Sequence, residues 1–109
     1  MSADVGAVFG ALADPTRRHV VTHLAQRGGT VTATELAQEL PITRQAVAKH
    51  LSALSSAHLV TAERQGRETR YRLTPEALTD AAGWMSEIGA RWDERLAALQ
   101  ETLRERASS

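Results

Sequence analysis

The 109-residue chain contains no cysteine. That absence removes disulfide frameworks, thiolate metal cages, iron–sulfur clusters and thiol nucleophiles together, and leaves any zinc site to histidines and carboxylates. Also missing is any apolar run near the ~18 residues that a membrane span requires. The N-terminus shows neither a basic leader nor a long apolar stretch, so the expectation is a cytoplasmic protein. Net charge is the third absence, with 13 Lys and Arg against 13 Asp and Glu. Taken at face value, that balance argues against a polyanionic partner. A chain of this length is expected to form one domain over residues 1–109, burying roughly two-thirds of its unfolded surface around one modest core.

Dividing the charge along the chain reverses the argument about partners. Residues 1–40 hold three Arg against four acids, a net of −1, and residues 74–109 hold four Arg against seven acids, a net of −3. Between them, residues 41–73 hold Arg44, Lys49, Arg64, Arg67, Arg70 and Arg72 against only Glu63 and Glu68, a net of +4. Local charge, not the total, determines where a polyanion docks.

The pattern of apolar residues and helix signals is mainly α with a small β-hairpin. An apolar opening helix around Val8–Ala13 ends at Asp14-Pro15, where Asp caps a second helix and Pro occupies its first position. That helix presents Val20, Val21 and Leu24 on one face and stops at Gly28-Gly29. Thr32-Ala33-Thr34-Glu35 has the spacing of a capping box and opens a two-turn helix that ends before Pro41. Thr43 caps a fourth helix running to about Ala57, with Val47, Leu51 and Leu54 at i, i+4 and i+7. The two helices joined by Pro41-Ile42 make a helix-turn-helix over 33–57. From Leu59 to Leu73 the residues turn to Val, Thr and Tyr around a turn near Gly66, a hairpin with a basic tip. Thr74-Pro75 then opens a helix to about residue 105. Its stripe of Leu78, Ala81, Met85, Ile88, Trp92, Leu96, Leu99 and Leu103 falls within ~80° of arc. A rod of about 45 Å is longer than such a domain is wide, and a second copy of the chain is the simplest cover for its apolar edge. Gly83 and Gly89 are expected to bend or split it, letting Trp84 pack back on the domain.

The outward face of the fourth helix carries Gln45 and Lys49, an amide and a cation suited to base edges in a major groove. Thr43 and Arg44 lie at the helix start, where free backbone N–H groups favour phosphate. His50 borders the apolar face, and packing at the core rim and DNA contact are both open to it. Arg64, Arg67 and Arg70 are expected to meet backbone or minor groove, Arg67 at the tip, while Arg72 is equally suited to pairing with an acid. His19 and His23 share one helix face at i, i+4, but no third ligand accompanies them, so no metal or other cofactor is expected. Serines lack a nucleophile-elbow context, and the acids of the last helix alternate with arginines as a solvated face does. An enzyme is not expected.

Five runs then stand in register. They are Ala11-Leu12-Ala13-Asp14-Pro15-Thr16-Arg17-Arg18, Thr34-Glu35-Leu36-Ala37, Ile42 through Leu54, His58-Leu59-Val60 and Arg67 through Leu73. In order and spacing they resemble the ArsR/SmtB family of bacterial winged-helix repressors, over about residues 7–105. The resemblance implies a winged helix-turn-helix with a recognition helix near 43–57, a wing over 59–73 and a C-terminal dimerisation helix over 75–105. Homodimers would form through the first and last helices, at Val8, Phe9, Leu12, Met85, Ile88, Trp92, Leu96, Leu99 and Leu103. Thr43, Arg44, Gln45, Lys49 and His50 would face double-stranded DNA, with Arg67 and its neighbours on the wing. The implied function is a sequence-specific transcriptional regulator, a homodimeric repressor of its own or a neighbouring operon, bound to an imperfect palindrome and released by an unidentified effector. The alternative is a winged-helix module for protein interaction or DNA architecture without specific operator recognition. Metal-sensing members place a cysteine pair in the helix equivalent to 34–40, or His and acidic ligands on the last helix. This chain has Thr34-Glu35-Leu36-Ala37-Gln38 and no late histidine, which sets it in a cysteine-free branch that does not sense metal by those ligands.

Overall fold

Short polar side chains start the helices of the computed structural model, which describes residues 4–108. Asp4 caps α1 (Val5–Leu12) by accepting from the Gly6 N–H at 2.9 Å. Asp14 caps α2 (Pro15–Arg27), its Oδ1 accepting from Thr16 N at 2.8 Å and Arg17 N at 3.1 Å. Arg18 closes the corner from the other side, donating to the Leu12 and Ala13 carbonyls that end α1. These bonds satisfy groups that a helix end leaves without an internal partner. Gly28 stops α2 at φ +68°, a conformation costly to any residue with a Cβ.

A two-residue strand, β1 (Val31–Thr32), precedes α3 (Ala33–Glu39), whose capping box is complete: Thr32 Oγ1 accepts from Glu35 N and Glu35 Oε1 from Thr32 N, both at 3.1 Å. Thr43 caps α4 (Arg44–Ser56). The hairpin β2 (Val60–Gln65) and β3 (Glu68–Leu73) turns at Gly66, φ +62°. β3 is the centre of a three-stranded antiparallel sheet in the order β1-β3-β2, with Thr32 opposite Arg70 and Ala62 opposite Tyr71. β1 has no counterpart in the sequence pattern, because two residues are too few to show a period.

One core joins these elements. Val8, Val20, Val31, Leu36, Val47, Leu51, Leu54 and Leu59 are fully buried, and Leu24 nearly so. The expected inner face of α4 is therefore the observed one. Burial of each such side chain stabilises the fold by about 1.5–3 kcal/mol. Val8 requires a correction: expected between two chains, it lies at 0% exposure inside its own. On α1, Val8 and Ala11 share the inward face, while Phe9 is turned ~100° away toward solvent.

α5 (Pro75–Ser108) contributes only Ala77 and Ala81 to the buried core. It continues through Gly83 and Gly89 without splitting. No break is needed for Trp84 to reach the domain, because α1 lies beside the first turns of α5 and the Phe9 and Trp84 rings meet edge-on at 5.7 Å. The rest of α5 extends the chain to 75 Å in its long dimension against 31 and 21 Å in the others. None of the described helices is long and apolar enough to cross a membrane.

Candidate nucleic-acid interface

Burial of Val47, Leu51 and Leu54 turns the opposite side of α4 outward, leaving Gln45, Ala48, Lys49 and Ser52 exposed. Gln45 and Lys49 have no hydrogen-bond or ion-pair partner among the described residues, so their polar groups are free for a ligand. At the start of α4, Thr43 Oγ1 accepts from Ala46 N at 3.1 Å. Arg44 Nε donates to Thr34 Oγ1 at 2.9 Å, tying the start of α4 to the start of α3.

The wing supplies the facing wall. An open groove of about 650 Å³ lies between Thr34, Gln38, Arg44 and Ala48 on the helical side and Arg64, Arg67, Thr69 and Tyr71 on the hairpin. Arg64 folds over the turn, Nε donating to the Gly66 carbonyl at 3.1 Å, and Arg67 is exposed at the tip without a partner among the described residues. The groove also contains Glu35 and Glu68, both already paired with Arg70. Among the described residues the groove thus keeps the charges of Arg44, Arg64 and Arg67 without an acidic partner, and Lys49 is exposed on the same helix as Arg44, an arrangement suited to a phosphate backbone.

Two expected DNA contacts are placed differently. Arg70 is turned inward: Nη2 pairs with Glu35 at 3.2 Å, Nη1 with Glu68 at 3.1 Å, and Nε donates to Thr30 Oγ1 at 2.9 Å. With its guanidinium engaged on three sides, Arg70 is a strut of the wing and not a free cation. His50 is half-buried, and its shielded Nδ1 has no hydrogen-bond partner among the described residues. Of its two roles, packing at the core rim is the one this placement supports. Arg72 pairs with Glu63 at 3.2 Å.

The carboxylates around α3 sit below their ordinary range. The Thr32 backbone N–H is the main cause at Glu35, and a hydrogen bond from His23 at Glu39. His23 Nε2 lies 3.1 Å from Glu39 Oε1, and His19 is exposed. No cluster of three or more metal-ligating side chains occurs among the described residues.

A second surface runs along α1 and α5. Phe9, Met85, Ile88, Trp92, Leu96, Leu99 and Leu103 are all exposed, Trp92 by 60% and Leu99 by 55%, with Leu12 half-buried at the edge. Trp84 belongs to this surface as well, and a single narrow stripe drawn through the helix omits it. Thr34 and Gln38 were equally hidden in the sequence, since only the folded wing brings residues some thirty positions later in the chain to face them.

The family model for a helix-turn-helix domain matches residues 12–63. The transcriptional repressor SdpR of Bacillus subtilis (strain 168) is 35% identical, over 72% of this chain and 84% of that protein. An ArsR-like transcriptional regulator from Rhodococcus sp. RHA1 has a solved structure similar to this one at TM-score 0.81 and 43% identity, covering 89% of this chain and 90% of that one. The homodimeric winged helix-turn-helix DNA-binding domain of Mb0332 from Mycobacterium bovis, a possible ArsR-family regulator, aligns at TM-score 0.59 and 30% identity, covering 84% and 81%.

Proposed function

The chain belongs to the ArsR/SmtB family of winged helix-turn-helix DNA-binding transcriptional regulators, and we propose that it works as a homodimeric repressor of its own or a neighbouring operon. The observation that carries this reading is the groove between the helices and the wing, lined by Arg44, Arg64 and Arg67, with Gln45 and Lys49 exposed on the outward side of α4 and, like Arg67, unpartnered among the described residues. α4 enters the major groove, Thr43 and Arg44 meet phosphate at its start, and Arg64 and Arg67 reach the adjacent backbone or minor groove.

Dimerisation follows from the exposed apolar line on α1 and α5, and the homodimeric state of Mb0332 supports it. Two recognition helices about 34 Å apart read an imperfect palindrome. Repression is occupancy of a promoter, in keeping with the name of SdpR. An effector not yet identified releases the dimer. The protein acts in the cytoplasm, and no catalytic activity is proposed for it.

Selection of duplexes from a random-sequence library, followed by affinity measurements against salt, tests the reading. A specific regulator enriches one palindromic sequence and prefers it to random duplex by a factor of about a thousand or more, with affinity falling steeply as salt rises. Equal affinity for selected and random DNA would leave the architectural module as the correct reading.

A further inference from the structure

The wing is attached to the helices by very little backbone. β1 offers β3 only two residue pairs, Val31 with Tyr71 and Thr32 with Arg70. Besides the packing of Val60, Tyr71 and Leu73 on the core, polar side chains reinforce the attachment at that second pair. Arg70 Nη2 reaches Glu35 Oε1 at 3.2 Å, while the same Glu35 oxygen accepts from Thr32 N to cap α3. Arg70 also donates to the Thr30 side chain at 2.9 Å and to the Thr30 carbonyl at 3.3 Å. From α2, Arg27 donates to that carbonyl at 2.9 Å and pairs with Glu35 Oε2 at 3.4 Å. The end of α2, the first turn of α3 and the middle of the wing thus converge on one carboxylate.

We propose that Glu35 and Arg70 form the joint that sets the angle of the wing against the helix-turn-helix, and are positioning residues for DNA recognition. Neither touches DNA; together they hold Arg67 where it meets the same duplex as Gln45 and Lys49. The proposal rests on the interface described above. It also explains why a cation within the basic segment is turned away from the groove: its charge is used to aim the others.

The probe is the duplex that the unmodified protein selects from a random-sequence library. Glu35→Gln keeps a residue that can close the capping box while removing the charge that Arg70 and Arg27 share. Glu35→Gln and Arg70→Gln are each expected to weaken binding about five- to tenfold and to narrow the preference over random duplex, and the double variant is expected to be no weaker than either single one. The slope of affinity against salt changes alike in both variants, by no more than the one contact that Arg67 makes, because Arg70 itself meets no phosphate. Measured on the folded fraction, a mere loss of stability leaves the sequence preference unmoved. If Arg70→Gln does not fold, Glu35→Gln carries the test alone.

The joint is overturned if Arg70→Gln lowers the salt slope by about one contact while Glu35→Gln is silent, since Arg70 would then bind phosphate directly. Strictly additive losses, or unchanged binding in both variants, overturn it as well. Gln45→Ala and Arg67→Ala separate the two levels. If these act and the joint variants do not, only the joint fails; if these are also silent, or no duplex is selected, the interface itself fails and the joint with it.

Discussion

Gln45, Lys49 and Arg67 are distinguished from Arg70 and Arg72 by what already holds them. The first three are exposed and unpartnered among the described residues, whereas the last two each pair with an acid at 3.2 Å. Arg67→Ala is expected to weaken binding to all duplexes alike and to reduce the salt slope by about one. Gln45→Ala instead relaxes preference at one or two base positions, by about 1–3 kcal/mol, as read by competition among single-base operator variants. His58 raises a different matter. It ends α4 at φ +62°, with the Leu59 N–H donating to the Leu54 carbonyl at 2.9 Å. A glycine avoids the steric cost of that conformation but loses more freedom on folding. His58→Gly is expected to stabilise the protein by about 0.5–1 kcal/mol, measured by denaturant unfolding at fixed protein concentration.

Asp14, Thr32 with Glu35, and Thr43 cap α2, α3 and α4, and the carboxylates at and beside these caps are sensitive to acid. Asp14 is held below its ordinary range chiefly by the Arg17 backbone N–H, Glu35 by that of Thr32, and Glu39 by His23. The unfolded chain therefore takes up these protons at higher pH than the folded one. Their contribution is complete above the ordinary carboxylate range and is lost as pH falls through the lowered folded values. The unfolding midpoint in denaturant is expected to drop below about pH 4, and less steeply in Glu35→Gln. A midpoint that rises with acid, or an equally steep fall in that variant, contradicts the assignment to α3. The caps themselves were legible: Asp14-Pro15, Thr32 with Glu35, and Thr43 all sit where the residue types place them. The strand β1 was not, and neither was the pairing of Arg70 across it.

The whole molecule is a short reading head on a long rod. The rod exposes Trp92, Leu96, Leu99 and Leu103 beyond the point where its own chain covers it. So extended a run of large apolar side chains is the mark of a partner surface. Trp92→Glu combined with Leu99→Glu is expected to give a monomer by sedimentation at micromolar concentration and to lower operator affinity by at least about tenfold, because two half-sites no longer bind as one ligand. The unmodified protein should show a Tm that rises with its concentration, as a folded dimer requires. A monomeric unmodified protein with full operator affinity would remove the dimer from the proposal.

Periodicity and capping are local properties, so the order of residues specifies the helices, the hairpin, the inward Val47, Leu51 and Leu54, and the outward Gln45 and Lys49. The absence of cysteine likewise excludes thiolate chemistry whatever the fold. Contacts between distant segments are not local. Folding alone settles that Val8 is core and Phe9 is surface, that His50 is half-buried with its Nδ1 shielded, and that Arg70, forty residues from Thr30, is a strut. An arginine reads as one positive charge along the chain, and whether that charge is free depends on which carboxylate the fold brings to it.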